Sequence, residues 1–177
     1  ERLQPAPALR FFSAAEAFPM TAVCDRLLPQ DDRDEAHKIP LVAVIDQRLH
    51  EGRIEGYRYA GMPPDGEAHR LGLQGIEAIA GSLFGAPFTA LTATQQDTVL
   101  LSLHDGRPPA GAEIWRQLPV DRFWLLLIKD VVSAYSAHPY AWDEIGFGVP
   151  AYPRGYRRLE GGKPEPWEVA ERRYAWR

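Results

Sequence analysis

The sequence predicts an all-α fold, an irregular bundle of about five helices with a long aromatic, Pro/Gly-rich C-terminal extension. Three observations lead there. Apolar residues recur at helical spacing in about five segments. Two of these open with a capping box. No segment alternates apolar and polar residues between hairpin turns, so no sheet is expected. With 177 residues, 45% hydrophobic and 25% charged, the chain suffices for one compact domain. Residues 1–138 read as the helical body and residues 139–177 as the extension.

Ser13-Ala14-Ala15-Glu16 has the form of the first capping box, followed by Phe18, Ala22, Val23 and Leu27 at helical spacing. Pro29 ends this helix, and Pro19 inside it predicts a kink or a later start. Pro40 opens a second helix with the stripe Leu41, Val44, Ile45 and Leu49, closed by Gly52. Asp65 is placed to cap a third, through Leu71, Ile76, Ile79 and Leu83. In it Gly72, Gly75 and Gly81 weaken the helix but allow another helix close. Thr92-Ala93-Thr94-Gln95 is the second capping box, opening a helix through Val99, Leu100 and Leu103 that closes at His104-Asp105-Gly106. Pro119 starts the most apolar helix, with Phe123, Leu127, Val131 and Tyr135 on one face and Trp124 and Leu126 beside it. Being apolar nearly all round, it is expected at the centre of the bundle.

A net charge of −4 argues against a general nucleic-acid binder, which needs a concentrated basic surface. The longest apolar run, around Phe123 to Ile128, is too short to span a bilayer. The chain opens at Glu1 rather than Met, which reads as a processed terminus. The lone Cys24 stands among Ala22, Val23, Leu27 and Leu28 and reads as a small buried hydrophobe.

The extension holds eight of the nineteen aromatic residues, Trp142, Trp167 and Trp176 among them. Pro150, Pro153, Pro164 and Pro166 exclude a long helix for most of it. Rings in such number need cover, either from the chain's own helices or from a partner protein. Aromatic residues are effective interface anchors because each removes much surface from water at little entropic cost. At about 3.3 Å per residue the extension reaches up to roughly 100 Å. The reading is a mixture, with the proximal part on the body and Pro164 to Arg177 on a partner.

Chemistry-bearing motifs are missing. His37, His50, His69, His104 and His138 show no pairing at metal spacing, and the acidic run Asp31, Asp32, Asp34 and Glu35 lacks a calcium-loop pattern. Ser82 follows Ala80 where a nucleophile elbow needs glycine. Gly146-Phe147-Gly148 meets Pro150 and opens no helix, so it is not a dinucleotide fingerprint. His138 ends the fifth helix, where a histidine caps the last carbonyls. No catalytic, cofactor-binding or metal-binding residue is assigned.

The run His138-Pro139-Tyr140-Ala141-Trp142-Asp143-Glu144-Ile145-Gly146-Phe147-Gly148, then Pro150-Ala151-Tyr152-Pro153-Arg154-Gly155-Tyr156 and Glu165-Pro166-Trp167-Glu168, resembles the C-terminal signature of the gluconate 2-dehydrogenase subunit 3 family. Ala22 to Pro29 and Phe84 to Leu101 are similar to it as well, so the resemblance covers nearly the whole chain. After Pro29 the sequence departs from the family, with Glu35-Ala36-His37 where Pro-Gly-Ala is expected.

The resemblance implies a non-catalytic small subunit that binds a large FAD-dependent sugar or glycoside dehydrogenase, often joined by a cytochrome c subunit. It also implies a periplasmic location and a role as escort for the catalytic subunit, which such small subunits typically serve through a twin-arginine export signal. No such signal stands in this sequence. FAD is then expected in the partner and no cofactor in this chain. The candidate partner contacts are Trp142, Phe147, Pro150, Tyr152, Tyr156 and Trp167. Two other readings stay open: a stand-alone enzyme on a sugar or glycoside using His138 or Asp143, and a self-associating helical module.

Overall fold

The computed structural model describes residues 8–35, 37–53 and 59–144. Among them are seven α-helices and one 3₁₀ turn, and no strand. They are α1 (Ala14–Leu27), α2 (Leu41–His50), α3 (Asp65–Phe84), α4 (Ala93–His104), α5 (Ala112–Gln117), α6 (Val120–Ser136) and α7 (Pro139–Glu144), with the 3₁₀ turn Phe88–Ala90 between α3 and α4. The all-α expectation holds.

Both capping boxes form. Ser13 Oγ accepts the Glu16 N–H at 3.3 Å while the Glu16 carboxylate accepts the Ser13 N–H at 2.8 Å. Thr92 and Gln95 repeat the exchange at 3.4 and 2.9 Å. The start of α1 is not delayed by Pro19, which lies inside the helix. Proline there removes the donor that Ala15's carbonyl would use, and Ala15 is exposed, so water can serve instead. Asp65 does not cap α3. It is the first helical residue, and its carboxylate instead accepts from Arg48 Nη1 at 2.8 Å.

The centre of the bundle is shared between α3 and α6. Helix α6 packs on α1, α2, α3, α4 and α7, and α3 packs on α1, α4, α5 and α6. Phe123, Leu127 and Val131 of α6 and Ile76 and Ile79 of α3 are buried together. Burying each such side chain fully contributes about 1.5–3 kcal/mol. Helix α6 is less uniformly apolar in its surroundings than its sequence implies. Leu125 and Val132 face solvent, and the charged Asp130 lies on its buried face. Phe18 and Leu83, read as core positions, are likewise exposed. In α1 the buried set is Met20, Val23 and Cys24, and Phe18 stands about half a turn away from Met20.

Gly72 and Gly75 admit side chains rather than another helix backbone. A Cβ on Gly72 would lie 2.0 Å from Phe123 Cζ, and one on Gly75 would lie 2.2 Å from Trp115 Cζ2. Each glycine is therefore a seat for a ring, one from α6 and one from α5.

Polar side chains fasten the loops. Gln30 and Ile39 exchange two hydrogen bonds, of 3.1 and 2.8 Å, across the Gln30–Lys38 loop. Buried Asp46 accepts the backbone N–H groups of Arg10, Phe11 and Phe12 at 2.8, 3.0 and 2.8 Å, holding the segment before α1 against α2. Glu77 accepts the Phe88 N–H and Gln96 donates to the Phe88 carbonyl, both at 3.0 Å, which sets the turn between α3 and α4.

Candidate functional site

Four charged or ionisable side chains from three helices meet inside the body. Arg48 of α2 donates from Nη1 to Asp65 and to the Arg53 carbonyl, at 2.8 and 3.0 Å, and its Nη2 pairs with Asp130 of α6. The same Asp130 oxygen lies 2.7 Å from His69 Nε2, with the imidazole 0% exposed. The rings of Phe12 and Phe123 stand edge-on to that imidazole at 6.3 and 6.4 Å. Burial works against the Arg48 charge, but hydrogen bonds to Asp65 and the Asp130 and Asp65 charges outweigh it and push its pKa above the ordinary range. Arg48 Nε, His69 Nδ1 and Asp130 Oδ1 are buried with no partner among the described residues.

Sequence reasoning missed this cluster, although a signal was present. Arg48 sits between Ile45 and Leu49 on the apolar stripe of α2, and Asp130 lies one turn from both Leu127 and Ala134 on the buried face of α6. A charge on an apolar stripe calls for a buried partner. The His69 imidazole is not placed for proton transfer to a substrate. General acid–base work needs a ring nitrogen within reach of the reacting group. The His69 and Asp130 side chains are 0% and 1% exposed, and no accessible ring nitrogen is offered by His69. Beside the cluster, a cleft of about 440 Å³ opens between α2 and α6, walled by Val44, Ile45, Arg48, Asp130, Ser133 and Ala134. Among the described residues no group of three or more His, Cys, Asp or Glu is placed to hold a metal ion.

Cys24 is free and 1% exposed, and burial, with the charges of Asp25 and Asp130, pushes its thiol up to about 12. It is a core residue, as its sequence neighbours suggest.

His138 acts differently from the expectation. Its Nδ1 accepts the Tyr140 N–H at 3.2 Å, so it caps the start of α7 rather than the end of α6. The carbonyl of Ser136 at the end of α6 is met instead by the indole N–H of Trp142 at 2.7 Å. Trp142 thus lies on α7, half-buried and joined to the body. The first residues of the extension, Pro139–Glu144, form α7 and pack on α6. Phe147, Pro150, Tyr152, Tyr156 and Trp167 lie outside the described residues, as does the side chain of Asp143.

The family described as gluconate 2-dehydrogenase subunit 3 matches residues 14–149. The chain belongs to that family. By family it is a dehydrogenase subunit. The match opens on the first residue of α1 and takes in every described helix. Of the candidate contacts, Trp142 and Phe147 fall within the match; Pro150, Tyr152, Tyr156 and Trp167 fall beyond it, as does the resemblance read over Pro150 to Tyr156 and Glu165 to Glu168. Neither the curated proteins nor the solved structures give a match. Among the described residues no helix is long and apolar enough to cross a membrane.

Proposed function

We propose that this subunit 3 protein is a non-catalytic small subunit that binds and stabilises the flavin-containing catalytic subunit of a sugar or glycoside dehydrogenase and escorts it for export to the periplasm. The observation that carries this reading is the family match over residues 14–149. The interior is consistent with it: Arg48, Asp65, His69 and Asp130 are engaged with one another, and the His69 imidazole is fully buried.

The flavin belongs to the partner in this reading. A dinucleotide cradle of the common kind joins a strand to a helix through a glycine-rich turn. The described residues include no strand to enter such a turn. The base that takes the substrate's hydroxyl proton goes with the flavin, and a cytochrome c subunit is the further partner. The contacts proposed for this chain are Pro150 and the aromatic residues Trp142, Phe147, Tyr152, Tyr156 and Trp167, the latter of the kind enriched among interface anchors.

Co-expression with the catalytic subunit tests the proposal. The two chains should purify together, and deleting Pro164 to Arg177 should weaken the complex. A catalytic subunit that is folded, exported and fully active when made alone would sink it, as would sugar oxidation by this chain alone.

A further inference from the structure

The connection between α6 and α7 is made by groups that respond differently to acid. Besides the packing of the Tyr140 ring on the body, three attachments hold α7 in place. Ala141 is 2% exposed and packs in the core. The Trp142 indole donates to the Ser136 carbonyl at 2.7 Å. His138 Nδ1 accepts the Tyr140 N–H at 3.2 Å. Only the last depends on protonation. The donor is a backbone amide, so Nδ1 must offer its lone pair, and an imidazolium has none to offer.

The surroundings oppose a charge on that ring. Arg33, from the loop after α1, lies close enough to act on His138 and donates to Tyr135 Oη of α6 at 3.1 Å. The Tyr140 ring of α7 lies tilted 4.8 Å from the His138 ring and 5.4 Å from that of His37, whose Nδ1 pairs with Asp34 at 2.6 Å. Among the described residues, the carboxylate of Asp34 pairs with the other histidine, and the fixed charge that acts on His138 is the Arg33 guanidinium.

We propose that the α6–α7 junction is a proton-operated clasp, in which neutral His138 holds α7 against the end of α6 and protonation of its imidazole releases it. Burial first, and the Arg33 charge second, keep the His138 pKa below the usual histidine value of about 6.5. A histidine depressed in the folded protein contributes its stabilisation fully above about pH 6.5 and loses it as the pH falls below that. Residues 145–177 continue from α7, so the release also frees the base of the extension. That consequence for partner binding rests on the function proposed above; the clasp itself can be tested on the isolated chain.

The experiment is a proton–nitrogen NMR titration of the full chain from pH 8 to 5. The His138 imidazole, the Tyr140 amide and the Trp142 indole N–H are expected to move together, with one midpoint below about 6.5. The Tyr140 amide should lose roughly five- to tenfold of its exchange protection, after correction for intrinsic rates, as befits one hydrogen bond. His138→Gln, which cannot titrate, should abolish the response, and His37→Gln should leave it in place. Arg33→Gln should raise the midpoint of the imidazole and of the Tyr140 amide together, and a Tyr140 amide that does not follow the imidazole in this variant overturns the clasp even if His138→Gln folds poorly. A Tyr140 amide that stays fixed while His138 titrates overturns the clasp. So does a response that survives in His138→Gln.

Discussion

Arg48 and Asp130, 82 residues apart, form an ion pair in the interior, with side chains 10% and 1% exposed. It ties α2 to α6, and Asp65 and His69 extend the tie to α3. Two charges taken from water cost several kcal/mol each, and mutual attraction repays this only with good geometry and further hydrogen bonds. Here Asp65 and His69 supply the further bonds, while three buried atoms stay unpartnered. The cluster therefore fixes how three helices meet more than it adds stability.

Breaking the pair from one side should be costly. Asp130→Ala strands Arg48 and His69 in the interior and should destabilise by about 3–5 kcal/mol in urea unfolding. Replacing Arg48, His69 and Asp130 together by Met, Leu and Leu should come within a few kcal/mol of the parent and exceed Asp130→Ala in stability. A triple variant less stable than Asp130→Ala would show that the charges stabilise the fold outright.

The glycines of α3 separate by what faces them. Gly72→Ala and Gly75→Ala drive a methyl into Phe123 and Trp115, at 2.0 and 2.2 Å, and should each cost about 1–3 kcal/mol by overpacking. Gly81→Ala meets nothing within 4 Å and should stabilise by about 0.4–1 kcal/mol through the unfolded chain. Thermal unfolding of the three variants checks the order, and Phe123→Leu should restore part of the loss in Gly72→Ala.

How far the sequence was legible follows the range of each signal. Ser13 with Glu16 and Thr92 with Gln95 were readable because a capping box is complete within four residues. Helix α5 was missed because it is a single short turn after Gly111, with no buried residue and hence no periodicity to detect. Helix α7 was missed because Pro139 and the aromatic residues around it read as extended chain. Proline is in fact suited to the first position of a helix, and His138 supplies the cap. Arg48, Asp65, His69 and Asp130 are scattered along the chain and only the fold brings them together. The contact residues proposed at Phe147, Pro150, Tyr152, Tyr156 and Trp167 rest on composition and resemblance.

Asp46 should prove more important than its surface-type chemistry suggests. It is 2% exposed and receives three backbone amides from the segment before α1. Asp46→Ala leaves the Phe12 donor buried without an acceptor and should cost at least about 2 kcal/mol. The segment at Arg10 to Phe12 should also become a site of early proteolytic cleavage, seen as a shortened N-terminus by mass spectrometry. An unchanged cleavage pattern would mean that the rings of Phe11 and Phe12, not the carboxylate, hold this segment.

Cys24 should be silent to thiol reagents in the native protein. The nucleophile is the thiolate, and a thiol pushed up to about 12 by burial is almost wholly protonated at pH 8. At 1% exposure it is also out of reach of a reagent in solution. Labelling with a chromogenic disulfide at pH 8 should proceed only through opening of the bundle, so its rate should follow unfolding and rise steeply with urea. Asp130→Ala, by loosening the packing of α6, should accelerate it about tenfold for each 1.4 kcal/mol of lost stability. Fast labelling of the unperturbed protein, independent of urea, would place the sulfur at the surface and contradict the position of α1 in the core.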